Sequence, residues 1–430
     1  MSDGLRFAWY GDDFTGASDT LATLAAAGLR AVLFPRVPTA AQLGRFGDLD
    51  AIGVAGTARA LSPEDMREEL AQVRPFLAAL HPAVTHYKCC STFDSATHVG
   101  NLVTGLQALR SGAHQAWVPI IGGQPSLGRF CAFGELYATA SAGGEVYRID
   151  HHPTMSRHPV TPMAEADLRR HLARQGMGTV ASIDLRCLDS ASDDQIDDAL
   201  DAHIAARPAA VLFDAVRDEH LHRIGRLLWL QAARQPLLAL GASSVAQALI
   251  SHWQRDCAVP SVPATVAAAQ GPVFLMVGSL SPVTAAQVEA GAVGYERLDI
   301  PDATTADAIE HLATRAAALL QQGRSVLAHT VAPQAGGAAP RDVAAGCGRL
   351  LRRVLLKAPQ VRRVGVAGGD TSSFALRELS PLALGWAGSL APGVPLLRMH
   401  ADDPALDGVE LMLKGGQMGP PDVFQRLLTG

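Results

Sequence analysis

The chain contains 430 residues, has a mass of 45.0 kDa and carries a formal net charge of −5 at pH 7. Its 48% of apolar and 18% of charged residues are typical of globular proteins and exclude an intrinsically disordered chain. Because no block of like charges occurs and only 5% of the residues are aromatic, nucleic acid is excluded as the main partner.

Targeting and redox signals favour a cytoplasmic location. No apolar stretch is long enough to span a bilayer, and residues 1–10 lack the basic and then apolar layout of a signal peptide. The six cysteines form no CxxC pair, which argues against a zinc ribbon or a disulfide scaffold. We therefore expect a cytoplasmic protein with reduced thiols and without a membrane partner.

Strand-like apolar runs alternate with helical segments along the first 256 residues. Strands are predicted at Leu5–Tyr10, Arg30–Phe34, Ala51–Ala55, Thr85–Cys89, Ala116–Ile120, Thr179–Asp184, Ala209–Asp214 and Leu237–Leu240. Helices are predicted at Thr20–Leu29, Pro63–Leu80, Glu165–Gln175 and Asp193–Ala206. This alternation is typical of an α/β fold with a mostly parallel sheet flanked by helices.

A second series of elements follows residues 257–272, an Ala- and Pro-rich segment that we predict to be an interdomain linker or crossover. Strands are predicted at Val273–Val277, Ser325–His329, Arg363–Ala367, Leu396–Met399 and Leu411–Lys414. Helices are predicted at Pro282–Ala292, Pro340–Lys357 and Thr371–Leu379. Because 430 residues exceed the usual size of one core, the sequence predicts two α/β domains, residues 1–256 and 273–430.

Two adjacent carboxylates, Asp12 and Asp13, lie in the motif YGDDFTGASDT between the first predicted strand and a helix. Ligands of open α/β sheets bind beyond the carboxyl ends of the strands, which is where these side chains are placed. There they suit removal of a proton from a hydroxyl or binding of Mg²⁺. Aspartate is equally common at an ordinary helix N-terminus, so the local sequence leaves both interpretations open.

A polar segment follows the fourth predicted strand and combines a cation, hydroxyls and a carboxylate. Its candidate substrate-binding residues are Lys88, Ser91, Thr92, Asp94 and Ser95. The lysine suits the carboxylate of a small polyhydroxylated acid, and the remaining side chains suit its hydroxyl groups. A helix cap followed by solvated polar residues is the alternative interpretation.

Three further residues of the first domain are candidate contacts to an anionic substrate. Arg129 follows a glycine, whereas Arg157 and His158 lie in a proline-rich segment. The histidines of that segment do not have the spacing of a metal site, and no metal ligands are assigned. A rigid surface loop with solvated histidines is the alternative.

Three turns rich in glycine and hydroxyl groups each follow a predicted strand of the second domain. Their candidate nucleotide-binding residues are Ser279, Ser281, Gly368, Gly369, Asp370, Thr371, Lys414, Gly415 and Gly416. Backbone N–H groups at such turns bind phosphate, because unpaired donors and the helix dipole both favour an anion. None of the turns matches a P-loop or a GxGxxG fingerprint, but their occurrence at the same end of three strands indicates nucleotide binding.

These motifs together resemble the four-carbon acid sugar kinase family, and the resemblance extends essentially from end to end. It rests on GDDFTGA, YKCCSTFDS, GRFCAFGELYA and SRHPVTPMAEADL in the first half and on GSLSPVT, GGDTS and LKGGQMG in the second. Within the family, CSTFDS resembles the 3-oxo-tetronate kinase branch more than the D-threonate kinase branch. Asn101 and Leu102 depart from that branch and leave the exact substrate open.

The resemblance implies a sugar-acid domain, a nucleotide-binding domain and an active site in the cleft between them. It implies transfer of a phosphoryl group from ATP, accompanied by Mg²⁺, to the 4-hydroxyl of 3-oxo-tetronate, with D-threonate or erythronate as alternative acceptors. ATP contacts are implied at Ser279, at Gly368 to Thr371 and at Gly415. Our hypothesis is that Asp12 or Asp13 accepts the proton of the 4-hydroxyl or orients that hydroxyl, and that the acid is oriented by Lys88, Asp94 and Arg157.

Two other classes of protein stay open on the sequence alone. A non-catalytic sugar-acid binding or sensor protein would also close on its ligand, although it would not need the glycine turns. A dehydrogenase lacks its glycine fingerprint. The expected partners are a small sugar acid and ATP, and a homo-oligomer is one option for the assembly.

Overall fold

The computed structural model describes residues 5–140, 143–256, 266–291, 293–301, 304–331 and 339–430. The chain forms two compact units, divided in sequence after residue 262. Within the described residues, no helix has both the length and the apolar character that a membrane crossing requires.

The first unit alternates strands and helices. Its strands are β1 Phe7–Gly11, β2 Ala31–Phe34, β3 Ala51–Ala55, β4 Val84–Lys88, β5 Val118–Ile121, β6 Gly123–Gln124, β7 Arg129–Ala132, β8 Glu135–Thr139, β9 Val146–Arg148, β10 Val180–Ile183, β11 Ala210–Phe213 and β12 Leu237–Gly241. Its helices are α1 Phe14–Ala26, α2 Ala40–Leu43, α3 Pro63–Ala79, α4 Leu102–Leu109, α5 Leu168–Arg174, α6 Leu185–Ser190, α7 Asp193–Ala205, α8 Asp218–Arg234 and α9 Ser244–Asp256.

The main sheet of this unit has the strand order β10–β11–β5–β12–β4–β1–β3–β2, and its described pairings are all parallel. All five residues of β1, FAWYG, are buried. Continuous burial is expected for a parallel strand that has helices on both faces. The parallel arrangement brings the carboxyl ends of the strands to one edge of the sheet.

The local sequence of α3 shows why the predicted helices form where they do. Ser62 caps the helix by accepting a hydrogen bond from the Asp65 N–H group, and Pro63 occupies the first turn, where it costs no hydrogen bond. The buried side chains of this helix are Met66, Leu70, Val73 and Leu77. Their spacing places them on one face, which packs on the core.

A second, smaller sheet is antiparallel and has the order β6–β7–β8–β9. No strands are predicted from the sequence in this segment, which is recognised only as a motif around Arg129. Its strands are two to five residues long and one face is partly exposed, so they carry little of the continuous apolar signal of the main sheet.

The second unit contains a mixed sheet. Its strands are β13 Val273–Val277, β14 Tyr295–Ile300, β15 Ser325–Thr330, β16 Arg363–Ala367, β17 Ala383–Ala391, β18 Val394–His400 and β19 Glu410–Lys414. Its helices are α10 Pro282–Gly291, α11 Ala306–Gln321, α12 Pro340–Lys357, α13 Gly369–Leu379 and α14 Val423–Thr429. The strand order is β17–β18–β19–β16–β13–β15–β14, with antiparallel pairing from β17 to β19 and parallel pairing from β19 to β14.

The predicted fold class, α/β with mostly parallel sheets flanked by helices, is confirmed. The bounds predicted for the first helix, Thr20–Leu29, are wrong, because Asp13 caps a helix that already begins at Phe14. Strand β17 was missed because two glycines and two register shifts interrupt its strand pattern. Of the predicted linker, residues 257–265 lie outside the described residues, and residues 266–272 contain no helix or strand.

Candidate active site

Three neighbouring strands of the first unit end side by side. Gly11, the last residue of β1, is in register with Ala55 of β3 and with Lys88 of β4. The chain continues this alignment beyond the strands, because the Asp12 N–H group donates to the Lys88 carbonyl at 3.0 Å and the Gly56 N–H group donates to the Gly11 carbonyl at 2.8 Å. Asp12 therefore lies at the sheet edge where α/β proteins bind ligands.

A single guanidinium group holds both aspartates of the GDD motif. Arg59, in a 3₁₀ turn after β3, donates from Nη2 to Asp12 Oδ1 at 2.8 Å and from Nη1 to Asp13 Oδ2 at 2.9 Å. Its N–H group also donates to the Asp12 carbonyl at 3.0 Å. Arg59 is not among the site residues predicted from the sequence. The sequence did contain a signal for it. Arg59 is a basic residue four positions after the predicted strand Ala51–Ala55, and the carboxyl end of that strand lies at the same sheet edge as the two aspartates.

The electrostatic balance differs between the members of this cluster. Burial is the largest effect on Asp12 and, together with the charge of Asp13, raises the pKa of the Asp12 carboxyl to about 6, against the opposing influence of Arg59 and Lys88. Burial lowers the pKa of Arg59, but the two carboxylates outweigh burial and raise it well above its usual range. The guanidinium stays charged, whereas the Asp12 carboxyl titrates within the range in which enzymes operate.

Close packing brings Lys88 to the same cluster. Lys88 is buried, and its Nζ donates to the Cys89 carbonyl at 2.6 Å. A Cβ atom at Gly16 would lie 2.5 Å from Lys88 Nζ and 2.6 Å from Asp13 Oδ1. Glycine at this position of the GDDFTGA motif therefore allows the first turn of α1 to approach the ammonium group and the carboxylate.

Asp94, in the segment after β4, is linked to the proline-rich segment of the first unit. The Thr92 hydroxyl donates to Asp94 Oδ1 at 2.5 Å, and the Thr161 hydroxyl donates to Oδ2 at 3.4 Å. The Thr161 hydroxyl also lies 3.0 Å from Nδ1 of His158. The structure thus brings together two predicted substrate contacts, Asp94 and His158, through Thr161, which the sequence analysis did not single out.

Ser95 and Ser91 differ in their surroundings. Ser95 is buried in a network in which its hydroxyl donates to the Phe93 carbonyl at 2.9 Å, accepts from Gln175 Nε2 at 2.7 Å and lies 2.8 Å from His171 Nε2. Ser91 is half-buried on the same segment. The network occupies the Ser95 hydroxyl within the protein, so its predicted contact to substrate stays a prediction.

Arg129 is a partly buried cation without a carboxylate partner among the described residues. One of its terminal nitrogens donates to the Leu127 carbonyl, and its Nε is buried without a hydrogen-bond partner in the described part of the chain. Burial lowers the pKa of Arg129, and the proximity of Cys90, in the segment after β4, opposes this shift. A buried donor without a partner is costly unless a ligand supplies an acceptor. Arg157, by contrast, is exposed to solvent.

The three glycine turns of the second unit converge at the carboxyl ends of β13, β16 and β19. The Gly278 N–H group donates to the Ala367 carbonyl, and the Gly368 N–H group to the Lys414 carbonyl, both at 3.0 Å. A Cβ atom at Gly278 would lie 2.2 Å from the Thr371 hydroxyl oxygen. These turns are packed so closely that the first one has no room for a side chain at Gly278.

Polar groups without a hydrogen-bond partner among the described residues lie around the point where the three turns meet. Helix α13 begins after Gly368, which has a φ of +128° and supplies no capping side chain. The hydroxyl oxygens of Ser281 and Ser372 are buried without a hydrogen-bond partner among the described residues. Asp370 is exposed in the first turn of α13. Free N–H groups and free hydroxyls at a helix N-terminus form a suitable site for phosphate.

Lys414 is fully buried below the third turn. Its Nζ donates to the Thr284 hydroxyl at 3.1 Å and to the Gly415 carbonyl at 3.0 Å, and it lies 5.7 Å from the centre of the Phe424 ring. The Thr284 hydroxyl in turn donates to the Gly416 carbonyl at 2.8 Å. Burial lowers the pKa of Lys414 to about 8. These contacts hold the Gly415–Gly416 turn in place, and the predicted contact of Lys414 to phosphate stays a prediction.

Within the described part of the chain, no group of three His, Cys, Asp or Glu side chains is arranged to hold a metal ion. A nucleotide-bound Mg²⁺ would receive most of its ligands from phosphate oxygens and water, so it needs no such cage.

Comparison with known proteins assigns the two halves of the chain. Residues 7–249 match the family model of a sugar-binding N-terminal domain, and residues 274–424 match that of a nucleotide-binding C-terminal domain. The chain is 38% identical to the 3-oxo-isoapionate kinase of Paraburkholderia graminis, over 99% of this chain and 95% of that protein. It is 31% identical to the 3-oxo-tetronate kinase of Methylobacterium radiotolerans, over 97% of both chains.

Solved structures share the fold along the whole chain. A Salmonella typhimurium LT2 protein has a TM-score of 0.82 at 24% identity, and a Haemophilus influenzae protein has a TM-score of 0.76 at 23% identity, each over 98% of both chains. The fold, the two matched domains and the kinase relatives together define an ATP-dependent sugar-acid kinase. The chain belongs to the four-carbon acid sugar kinase family, as the sequence motifs predicted.

Proposed function

We propose that this kinase transfers the γ-phosphoryl group of ATP to a terminal hydroxyl of a 3-oxo sugar acid. The first candidate substrate is 3-oxo-isoapionate. The observation that supports the proposed site is the buried carboxylate of Asp12, held beside Asp13 by Arg59 at the ligand-binding edge of the sugar-binding unit.

Sequence identity favours this substrate over the one predicted from the motifs. The relative named for 3-oxo-isoapionate is 38% identical to this chain, whereas the relatives named for 3-oxo-tetronate are 28–31% identical over similar lengths. The 3-oxo-tetronate predicted from CSTFDS is therefore the second candidate. D-threonate and erythronate are the alternatives within the family.

The residues of each unit have distinct roles in this proposal. In the first unit, Lys88, Asp94 and Arg129 bind and orient the acid, while the aspartate pair positions the hydroxyl and receives its proton. In the second unit, the three glycine turns bind the polyphosphate of ATP, with Mg²⁺ neutralising part of its charge. Phosphoryl transfer depends mainly on such positioning and charge neutralisation. The cleft predicted from the sequence, in which acid and nucleotide would meet, stays a prediction.

A substrate panel tests this assignment. Purified protein, ATP and Mg²⁺ are combined with 3-oxo-isoapionate, 3-oxo-tetronate, D-threonate or erythronate, and release of ADP is followed by a coupled assay. We expect the highest kcat/KM with 3-oxo-isoapionate and a terminal phosphate ester in the product, identified by ³¹P and ¹³C NMR. A higher value with 3-oxo-tetronate would contradict the choice of substrate. Binding of an acid without any ADP release would instead support a sensor.

Replacement of Arg129 by glutamine is expected to raise the KM for the acid about 10- to 100-fold with a smaller change in kcat. The reason is that, among the described residues, the buried Nε of Arg129 has no hydrogen-bond partner and the guanidinium has no carboxylate partner. A hydrogen bond to a charged group contributes about 1.5–3 kcal/mol. Steady-state kinetics at saturating ATP measure both constants.

Arg157→Gln is the matched control, because this arginine is exposed. A smaller effect is expected from it. If Arg157→Gln raises the KM as much as Arg129→Gln does, the carboxylate of the acid is bound from the proline-rich segment instead.

A further inference from the structure

We infer that Asp12 is the group that accepts the proton of the substrate hydroxyl and that Asp13 is a positioning residue. The sequence leaves the choice between the two adjacent carboxylates open, whereas the hydrogen bonds of the structure separate them. The inference rests on the proposed function, because it assigns the roles of two residues in the proposed phosphoryl transfer.

Both carboxylate oxygens of Asp13 already accept hydrogen bonds. Its Oδ1 accepts from the Gly16 N–H group at 2.9 Å and thereby caps α1, and its Oδ2 accepts from Arg59 at 2.9 Å. Its backbone is extended, with a φ of −141° and a ψ of 161°, as is usual for an N-cap residue. A proton bound by Asp13 would go to an oxygen that already accepts the helix cap or the ion pair, and would weaken that interaction.

Only one of the two carboxylate oxygens of Asp12 accepts a hydrogen bond from the described residues. Its Oδ1 accepts from Arg59 at 2.8 Å, whereas its Oδ2 accepts no hydrogen bond from the described residues. The side chain as a whole is only 2% exposed, which limits the access of water to the hydroxyl it would meet.

Arg59 orients the free oxygen. The two nitrogens of one guanidinium bind one oxygen of each carboxylate, which fixes the rotation of the Asp12 side chain while its Oδ2 stays open. Gly16 lets Lys88 approach the other side of Asp13, so two cations compensate the two carboxylates at the sheet edge. A preorganised carboxylate with one free oxygen is suited to general base catalysis.

The step balances as follows. The O–H bond of the substrate hydroxyl breaks and its proton passes to Asp12 Oδ2. The hydroxyl oxygen forms a bond to the γ-phosphorus, and the bond between that phosphorus and the β–γ bridging oxygen breaks with release of ADP. Asp12 then loses the proton to solvent and regains its charge.

The groups that face Asp12 set the pH at which it works. The charged neighbours are Arg59, Lys88 and Asp13, and the neutral ones are Tyr10, Tyr87 and Cys89, whose pKa values burial raises well above their usual ranges. Since Asp12 must be ionised to accept a proton and its pKa is raised to about 6, activity should fall as the pH decreases below about 6. The charge of Asp13 is one of the causes that raise the pKa of Asp12. Removing that charge should therefore move the decrease in activity to lower pH.

The matched variants Asp12→Asn and Asp13→Asn test the inference. Asparagine keeps the size of the side chain and is an effective helix cap, so the Asp13 variant keeps the cap to Gly16 and loses the charge together with the ion pair to Arg59. We expect Asp12→Asn to lower kcat at least about 100-fold and to abolish the decrease below pH 6, because a general base contributes about 10²- to 10⁴-fold. We expect Asp13→Asn to lower kcat less than Asp12→Asn does and to shift the decrease to lower pH. A purely structural role of Asp13 would lower thermal stability without that shift.

Circular dichroism and the ATP-induced rise in melting temperature show that each variant is folded and binds nucleotide. The inference is overturned if Asp13→Asn loses as much kcat as Asp12→Asn, or if Asp12→Asn keeps the acid decrease. If the unmodified protein releases no ADP with any of the four acids, the proposed function fails and the inference fails with it. The two failures are therefore distinguishable.

Discussion

Replacement of Arg59 by leucine is expected to lower the free energy of unfolding by about 3–5 kcal/mol at pH 8 and to raise the pH at which activity is half-maximal. Removing one partner of a buried ion pair leaves an uncompensated buried charge, which is strongly destabilising. Here the charge left behind is that of Asp12, which is 2% exposed and loses its 2.8 Å contact to the guanidinium.

The sign of the pH dependence follows from the raised pKa of Asp12. The pKa in the folded protein is about 6, above the ordinary value of 3.8, and Arg59 is the main influence that lowers it. Without Arg59 the folded pKa rises further, so the Asp12 carboxyl takes up a proton on folding over a wider range of pH. The stability lost in Arg59→Leu should therefore be smaller at pH 5, where Asp12 is largely protonated, and should increase toward pH 8.

Urea unfolding of both proteins at pH 5 and pH 8 measures this difference. Arg30→Leu is the control, because Arg30 makes an exposed ion pair with Asp50 at 3.2 Å and such pairs contribute at most about 1 kcal/mol. An equal loss for Arg59→Leu at both pH values would show that the guanidinium acts through packing rather than through the charge of Asp12.

Replacement of Gly278 by alanine is expected to weaken ATP binding about 10- to 100-fold. The added Cβ would lie 2.2 Å from Oγ1, 3.0 Å from Cγ2 and 3.1 Å from Cβ of Thr371. Rotation of the threonine side chain cannot relieve the contact with its Cβ, so the first turn of α13 has to move. Overpacking of this kind costs about 1–3 kcal/mol, and each 1.4 kcal/mol is tenfold in affinity.

Gly369→Ala is the matched control for Gly278→Ala. Gly369 lies in the turn after β16, the strand that pairs with β13. A Cβ atom at Gly369 would meet nothing within 4 Å, and this residue begins α13, where alanine is favourable. Gly369 is itself a predicted nucleotide contact, so we expect a loss of affinity that is smaller than that of Gly278→Ala, where the contact with Thr371 is added. Isothermal titration with ATP gives both values, and melting curves without ATP detect a general loss of stability. Similar effects of the two substitutions would contradict the steric account of the turn.

The elements that could be predicted from the sequence are those with a strong local signal. The buried parallel strands of both units and the capped helix that begins at Pro63 lie within a few residues of their predicted bounds. The glycine turns were recognised because only small residues allow backbones to approach closely. Strand β14 was missed because it lies at the edge of its sheet, where polar residues alternate with apolar ones.

Contacts between residues that are far apart in the chain could not be predicted from the sequence. Arg59 is more than 40 positions from the aspartates it binds, and only the adjacency of β1 and β3 brings them together. Likewise, Ser95 was predicted as a substrate contact from its neighbours in sequence, whereas its contacts to His171 of α5 and to Gln175, which follows that helix, could be seen only in the structure.

By itself, the sequence determined the α/β class and the family, because strand periodicity and short motifs are local properties of the chain. Only the tertiary structure decided what the individual polar side chains of the site do. In the GDD motif the two aspartates are chemically identical and adjacent, and they differ solely in their partners. Both carboxylate oxygens of Asp13 accept hydrogen bonds, one from the helix N-terminus and one from Arg59. Asp12 is buried, and one of its oxygens accepts no hydrogen bond from the described residues. The helix cap of Asp13 is a local interaction, but the contact of Arg59 with both carboxylates arises from the packing of the turn after β3 against the end of β1, which no local pattern encodes.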